Sequence, residues 1–199
     1  NNPVKKIITM KRFSMLLVAL AFVSASAFAQ TYKTKLSAAP TIVDLFLEAA
    51  KHDECGADYM EFIIEAVKGK KLSYTKCVID KKHGYLKVEM GSEEDGKEVQ
   101  SCFWKMNNGK LLLAIAHVAQ QEEYALHFFE YDKATRTLKA ITRPFDFGLG
   151  DKESDMRYEL PRYGKSVKAD TYAFCTSKGD PYRWTVTWNG SSFVVKRSN

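Results

Sequence analysis

Ser73-Tyr74-Thr75-Lys76-Cys77-Val78-Ile79-Asp80, Lys81-Lys82-His83-Gly84, Tyr85-Leu86-Lys87-Val88-Glu89-Met90: on both sides of a turn that ends in glycine, apolar side chains recur at every second position. A four-residue loop over 81–84 sets Ile79 opposite Leu86, Cys77 opposite Val88 and Thr75 opposite Met90. The other face then pairs Lys76 with Glu89 and Val78 with Lys87. Successive strand side chains point to opposite sides of a sheet, so one face of this hairpin is nearly all apolar and the other mostly charged. A sheet packed on one side requires that division.

The same period continues downstream. Candidate strands cover residues 73–80, 85–90, 98–105, 110–119, 122–131, 136–141, 156–160, 166–175, 182–188 and 192–196. Turn signals separate them: His83-Gly84, Asp95-Gly96, Asn108-Gly109, Gly179-Asp180-Pro181 and Asn189-Gly190. Connections this short join neighbours antiparallel, because a parallel pair needs a crossover of about a dozen residues or more. Residues 110–119 are apolar on both faces apart from His117, which marks a central strand. Tyr182, Trp184, Val186 and Trp188 alternate with Arg183, Thr185 and Thr187, the pattern of a core-facing strand.

Upstream the period is helical. Thr41 suits an N-cap, with Ile42, Leu45, Phe46 and Ala49 at helical spacing. A second stretch carries Tyr59, Phe62, Ile63, Ala66 and Val67 and stops at Gly69. The expected fold is therefore α+β, with N-terminal helices packed on a large, curved, mostly antiparallel β-sheet.

The first 29 residues read as an address. Lys11 and Arg12 precede the apolar run Met15 to Val23, and Ala27-Phe28-Ala29 offers a small-x-small cleavage site before Gln30. The run is about half of the ~20 residues a transmembrane helix needs. Met10 is then the expected start, residues 1–9 upstream sequence, and residues 30–199 a single α+β domain, periplasmic or secreted and not membrane-spanning. The 199 residues carry 30 Lys and Arg against 24 Asp and Glu, a net charge of +6. Four of the bases and none of the acids lie in residues 1–29, so the remainder carries 26 bases against 24 acids, a balance of +2. The charge that hints at nucleic acid thus resides largely in the leader, and no nucleic-acid partner is expected. A composition 45% hydrophobic and 27% charged excludes collagen-like, mucin-like and disordered classes.

Four cysteines, Cys55, Cys77, Cys102 and Cys175, in a secreted chain make disulfides the first expectation, with buried free thiols the alternative. A Cys77–Cys102 bridge is disfavoured, because an intervening strand separates them by ~10 Å while bridged Cα atoms lie within ~7 Å. Cys55 with Cys77 or Cys102, and Cys175 with the other, are the preferred pairings.

Catalytic motifs do not assemble. Asp146-Phe147-Gly148 lacks the companion motifs of a kinase, and Gly164-Lys165-Ser166 has Glu159 where a P-loop needs its first glycine. His117 and His127 face opposite sides of the sheet if their connecting loop is even, and one side if it is odd; a third metal ligand is missing in either case. Asp151, Glu153 and Asp155 lack the glycine and distal Glu of an EF-hand. Asn189-Gly190-Ser191 matches a glycosylation sequon but reads as a hairpin turn. No cofactor, metal or catalytic residue is nominated.

Trp104, Tyr158 and Tyr163 are the candidate ligand-binding residues, as an exposed aromatic patch. The leading expectation is a non-enzymatic binding or interaction module for an envelope protein, a glycan or a small molecule. The alternatives are a hydrolase acting on a cell-wall or glycan substrate, and a β-barrel closed around a small ligand.

Four stretches carry a resemblance: Ala27-Phe28-Ala29-Gln30, Tyr131-Asp132-x-x-Thr135-x-x-Leu138, Leu160-Pro161-Arg162-x-Gly164-Lys165 and Trp188-Asn189-Gly190-x-x-Phe193. In these the chain resembles small secreted proteins of Bacteroidetes-type bacteria, mostly of unknown function. The resemblance implies an envelope location and transfers no active site.

Overall fold

A computed structural model describes residues 30–52, 60–91, 96–119, 125–148, 156–171 and 183–198. The elements run β1 (Thr31–Lys33), α1 (Ile42–Ala49), α2 (Met60–Val67), β2 (Thr75–Asp80), β3 (Tyr85–Met90), β4 (Lys97–Lys105), β5 (Leu111–Ala119), β6 (Ala125–Asp132), β7 (Thr137–Ile141), β8 (Met156–Glu159), β9 (Ser166–Thr171), β10 (Arg183–Trp188) and β11 (Phe193–Ser198). Among the described residues every strand pairing is antiparallel.

The β2–β3 hairpin has the register derived above, with Ile79 opposite Leu86, Cys77 opposite Val88 and Thr75 opposite Met90. On its charged face Lys76 reaches Glu89 at 3.4 Å. Gly84 closes the turn at φ +66, and a Cβ there would lie 2.8 Å from the Phe103 ring, so both conformation and space select glycine. The Asn189-Gly190 turn is also formed: the Asn189 side chain accepts the backbone N–H groups of Ser191 and Ser192 at 2.9 Å each.

Instead of one large sheet, the strands form two. The first has the order β1-β7-β6-β5-β4-β3-β2, the second β11-β10-β9-β8. β5 is the central strand of the first sheet, and its two apolar faces serve two separate cores. Leu111, Leu113 and Ile115 join Ile42, Leu45 and Phe46 of α1 and Ile63 of α2 in one core. Leu112, Ala114 and Ala116 join Val167, Trp184, Val186 and Trp188 in the other. The molecule is thus layered as helices, seven-stranded sheet, four-stranded sheet. Among the described residues both sheets have two free edges.

Local chemistry explains the short helices. Thr41 caps α1: its hydroxyl accepts the Asp44 N–H at 3.3 Å, while the Asp44 carboxylate accepts the Thr41 N–H at 2.8 Å. β1 carries no alternation signal, yet it covers the β7 edge through Tyr32 opposite Leu138. The strand that follows β6 in sequence therefore does not end the sheet.

Cys77 and Cys102 both carry free thiols, so the expected staples do not form at these two positions. Cys77 is exposed beside Val88 on the helix side of the sheet, whereas Cys102 is buried on the opposite face in the inter-sheet core. The period-two backbone aims the two sulfurs apart. Burial pushes the Cys102 thiol well above the usual thiol range, keeping it protonated. Cys55 and Cys175 lie outside the described residues.

Candidate functional site

A groove of about 870 Å³ opens where β3 and β4 of the first sheet meet β8, β9 and β10 of the second. Its base is set by a buried inter-sheet hydrogen bond: the Leu160 N–H donates to the Gln100 Oε1 at 2.7 Å. Gln100 also donates to Glu98, so both ends of its amide are satisfied. Tyr85, Tyr158 and Trp184 form the aromatic floor and are nearly inaccessible.

The walls are charged. Lys87 sits 2.7 Å from both Glu89 and Glu98. Burial pulls its pKa down, but the two carboxylates outweigh that and raise it. Lys168 reaches Glu159 at 3.1 Å. Asp170 lies opposite Arg157 of β8 and Arg183 of β10 in the cross-strand register. Burial raises the Asp170 pKa, the two guanidiniums pull it back, and the Glu159 carboxylate adds to the rise. Among the described residues, five cations and three carboxylates line the groove.

One rim is a clamp between the sheets. The Asp80 carboxylate takes His83 Nδ1 at 3.0 Å and Arg162 Nε at 2.9 Å. The Arg162 guanidinium also lies 5.3 Å over the Tyr163 ring, which meets the His83 ring edge-on at 4.9 Å. These contacts hold the β8–β9 turn against the β2–β3 turn. The His83 hydrogen bond first, and the Arg162 hydrogen bond second, lower the Asp80 pKa from 3.8 to about 2. A folded-state pKa below the unfolded value contributes stability that is complete above pH ~4 and is lost as pH falls toward 2. Asp80→Asn is expected to lower Tm at pH 5–7 and to converge with the wild type near pH 2. Melting both proteins across that range checks it, and parallel curves throughout would refute the clamp.

The sequence-derived candidates do not form a patch. Trp104 is buried in the inter-sheet core, its ring edge-on to Phe193 at 5.6 Å. Tyr158 is buried at the groove floor, where its hydroxyl accepts Arg143 Nη1 at 3.2 Å. Only Tyr163 is exposed, at the rim. The strand phase places Trp104 and Tyr158 on inner faces, and that phase is visible only once a second sheet is known to cover them.

Other expectations resolve similarly. Ile115 pairs with His127 and His117 with Ala125, so the two histidines share a face, with ring centroids 5.7 Å apart. This is the odd-loop case, and the even-loop separation does not apply. Among the described residues no group of three His, Cys, Asp or Glu side chains gathers as metal ligands. Asp151, Glu153 and Asp155 lie outside the described residues. Asp146 of the kinase-like triplet accepts the Gly148 N–H at 2.7 Å, a local turn, and Phe147 packs 5.2 Å from Trp184.

Sequence reasoning missed Gln100, Arg157, Asp170 and Arg183. A signal existed for the charged ones: across the 157–170 hairpin, Arg157 meets Asp170 and Glu159 meets Lys168, an opposite-charge ladder. Fold and site together define a two-sheet antiparallel protein with helices on one side and a polar groove at the sheet junction. No protein-family model, curated protein or solved structure matches the chain. Among the described residues no helix is long and apolar enough to cross a membrane.

Proposed function

We propose that the protein is a non-enzymatic binding module of the bacterial envelope or secreted space, with its ligand in the groove at the sheet junction. The observation that carries this reading is the groove itself: about 870 Å³, five cations and three carboxylates among the described residues, with an exposed tyrosine at its rim. Sites of this size with convergent polar groups suit small molecules and chain segments. The leader-like residues 11–29, and the resemblance to small secreted proteins, support the location.

A thermal-shift screen of the purified protein against oligosaccharides, peptides, lipids and divalent metals tests it. A stabilising ligand is expected, because a ligand that binds only the folded state raises Tm by mass action. Its effect should shrink in Tyr163→Ala, which removes an exposed side chain and leaves the core untouched. A ligand whose effect is unchanged in Tyr163→Ala and in charge variants of the groove would overturn the assignment.

A second reading, hydrolysis of a cell-wall or glycan substrate, is favoured by one observation. Asp170, with its pKa raised by burial, shares the groove with Glu159, and general acid catalysis uses such environments. Release of reducing ends by the wild type, lost in Asp170→Asn, would favour this reading. Their absence with acidic and neutral glycans alike would remove it.

A further inference from the structure

We propose that the ligand of this groove is an acidic sugar chain, with an anionic group gripped between Arg157 and Arg183. The inference rests on the groove being the binding site and names the chemistry it takes. Arg157 of β8 and Arg183 of β10 are both exposed, and both lie opposite Asp170 of the intervening β9. The other three groove cations are engaged: Lys87 with Glu89 and Glu98, Arg162 with Asp80, Lys168 with Glu159. Among the described residues, neither Arg157 nor Arg183 forms a hydrogen bond or close ion pair; their interaction with Asp170 is electrostatic. Two guanidiniums therefore share one carboxylate, and the row carries an excess positive charge.

Strands two places apart in a sheet stand ~10 Å apart, and arginine side chains are long enough to converge across that gap. The planar guanidinium fork matches a carboxylate, sulfate or phosphate with two parallel hydrogen bonds. A uronic acid carboxylate is the simplest such anion on a sugar chain.

The remaining lining selects a sugar over an acidic peptide. Glu98 and Glu159 are acceptors suited to hydroxyl donors, and Ser166 and Thr185 both donate and accept. Tyr163 offers an exposed ring at the rim for stacking. The floor aromatics are too buried to receive the apolar side chains of a peptide.

Calorimetric titration with four probes tests the inference: oligogalacturonate, a sulfated oligosaccharide, a neutral oligosaccharide of equal length and poly-glutamate. Oligogalacturonate is expected to bind best, and more weakly as salt rises. Arg157→Gln and Arg183→Gln should each weaken it about tenfold or more, the size of a lost charge-assisted hydrogen bond. Asp170→Asn should tighten it several-fold by removing the competing carboxylate. Tighter binding of the sulfated probe, with the same dependence on both arginines, would keep the acidic-sugar class and change the anion. Neutral and acidic sugars binding equally, with Tyr163→Ala weakening both and the arginine variants neither, would overturn the anion inference and leave the groove reading standing. Preference for poly-glutamate would overturn the sugar. Acidic sugar binding that no groove variant alters would overturn both. Circular dichroism melts of each variant, all at exposed or half-buried positions, separate lost binding from lost folding.

Discussion

Phe46→Ala is expected to destabilise the protein by about 3–5 kcal/mol, the range for removing a fully buried phenylalanine. Phe46 is wholly inaccessible and is among the largest side chains of the helix-side core. With Ile42, Leu45 and Ala49 it forms the inward stripe of α1, packed on the face of the first sheet that carries Leu113, Ile115 and Phe129. An eight-residue helix is too short to persist in water on its own, so packing rather than helix propensity holds it. Removing the main anchor therefore costs both the cavity and the order of α1. Lys51→Ala is the control. Its ion pair with Glu48 at 2.6 Å is largely solvent-exposed on the lysine side, and the loss should stay within about 1 kcal/mol. Urea titration followed by far-ultraviolet circular dichroism reads both values. A Phe46→Ala loss no larger than the control's would mean that α1 does not depend on this side chain.

Trp188→Ala tests the other core, with a similar expected loss of about 3–5 kcal/mol. Trp188 is 3% exposed, at the end of β10, with its ring 4.9 Å from Phe193. Its indole N–H donates to the Lys105 carbonyl of the first sheet at 3.3 Å, so the residue fills the inter-sheet space and also fastens the sheets together. The adjacent turn repeats the fastening, because the Asn107 N–H donates to the Gly190 carbonyl at 2.9 Å. Trp188→Phe keeps most of the apolar area but forfeits the hydrogen bond and leaves a smaller cavity, so a loss of about 1–3 kcal/mol, below that of Trp188→Ala, is expected. Equal losses for the two variants would show that the hydrogen bond, not packing, dominates at this position. Urea titration of all three proteins gives the comparison.

Much of the local structure was legible because a strand has a strict period of two. The β2–β3 register follows from matching apolar positions alone, since a slip of one residue would send Ile79 and Leu86 to opposite faces. β5 could be placed centrally because both of its faces are apolar, and Trp184, Val186 and Trp188 could be turned inward because their neighbours are polar. The histidine pair was legible only up to a parity. One residue in the connecting loop decides whether His117 and His127 share a face, and no apolar pattern specifies that count.

The candidate site was far less legible. Its aromatic candidates were chosen for residue type, and burial removed Trp104 and Tyr158 from the surface. Its charged walls come from different strands of two different sheets, Lys87 and Glu98 from one and Arg157, Asp170 and Arg183 from the other. Charge pairing within one hairpin can be read along the chain, but proximity across a sheet junction depends on which layers stack.

By itself, then, the sequence determined ten of the eleven described strands, β1 being the exception, the first hairpin's register and the orientation of the Trp184–Trp188 face, because each is a property of neighbours along the chain or across a tight turn. Only the tertiary structure decided that the strands divide into two sheets, that β1 seals the β7 edge, and that a charged groove opens at the sheet junction. Those outcomes depend on which apolar faces bury one another. Hydrophobic burial rewards area without regard to sequence separation, so the alternation that specifies each face does not specify its partner.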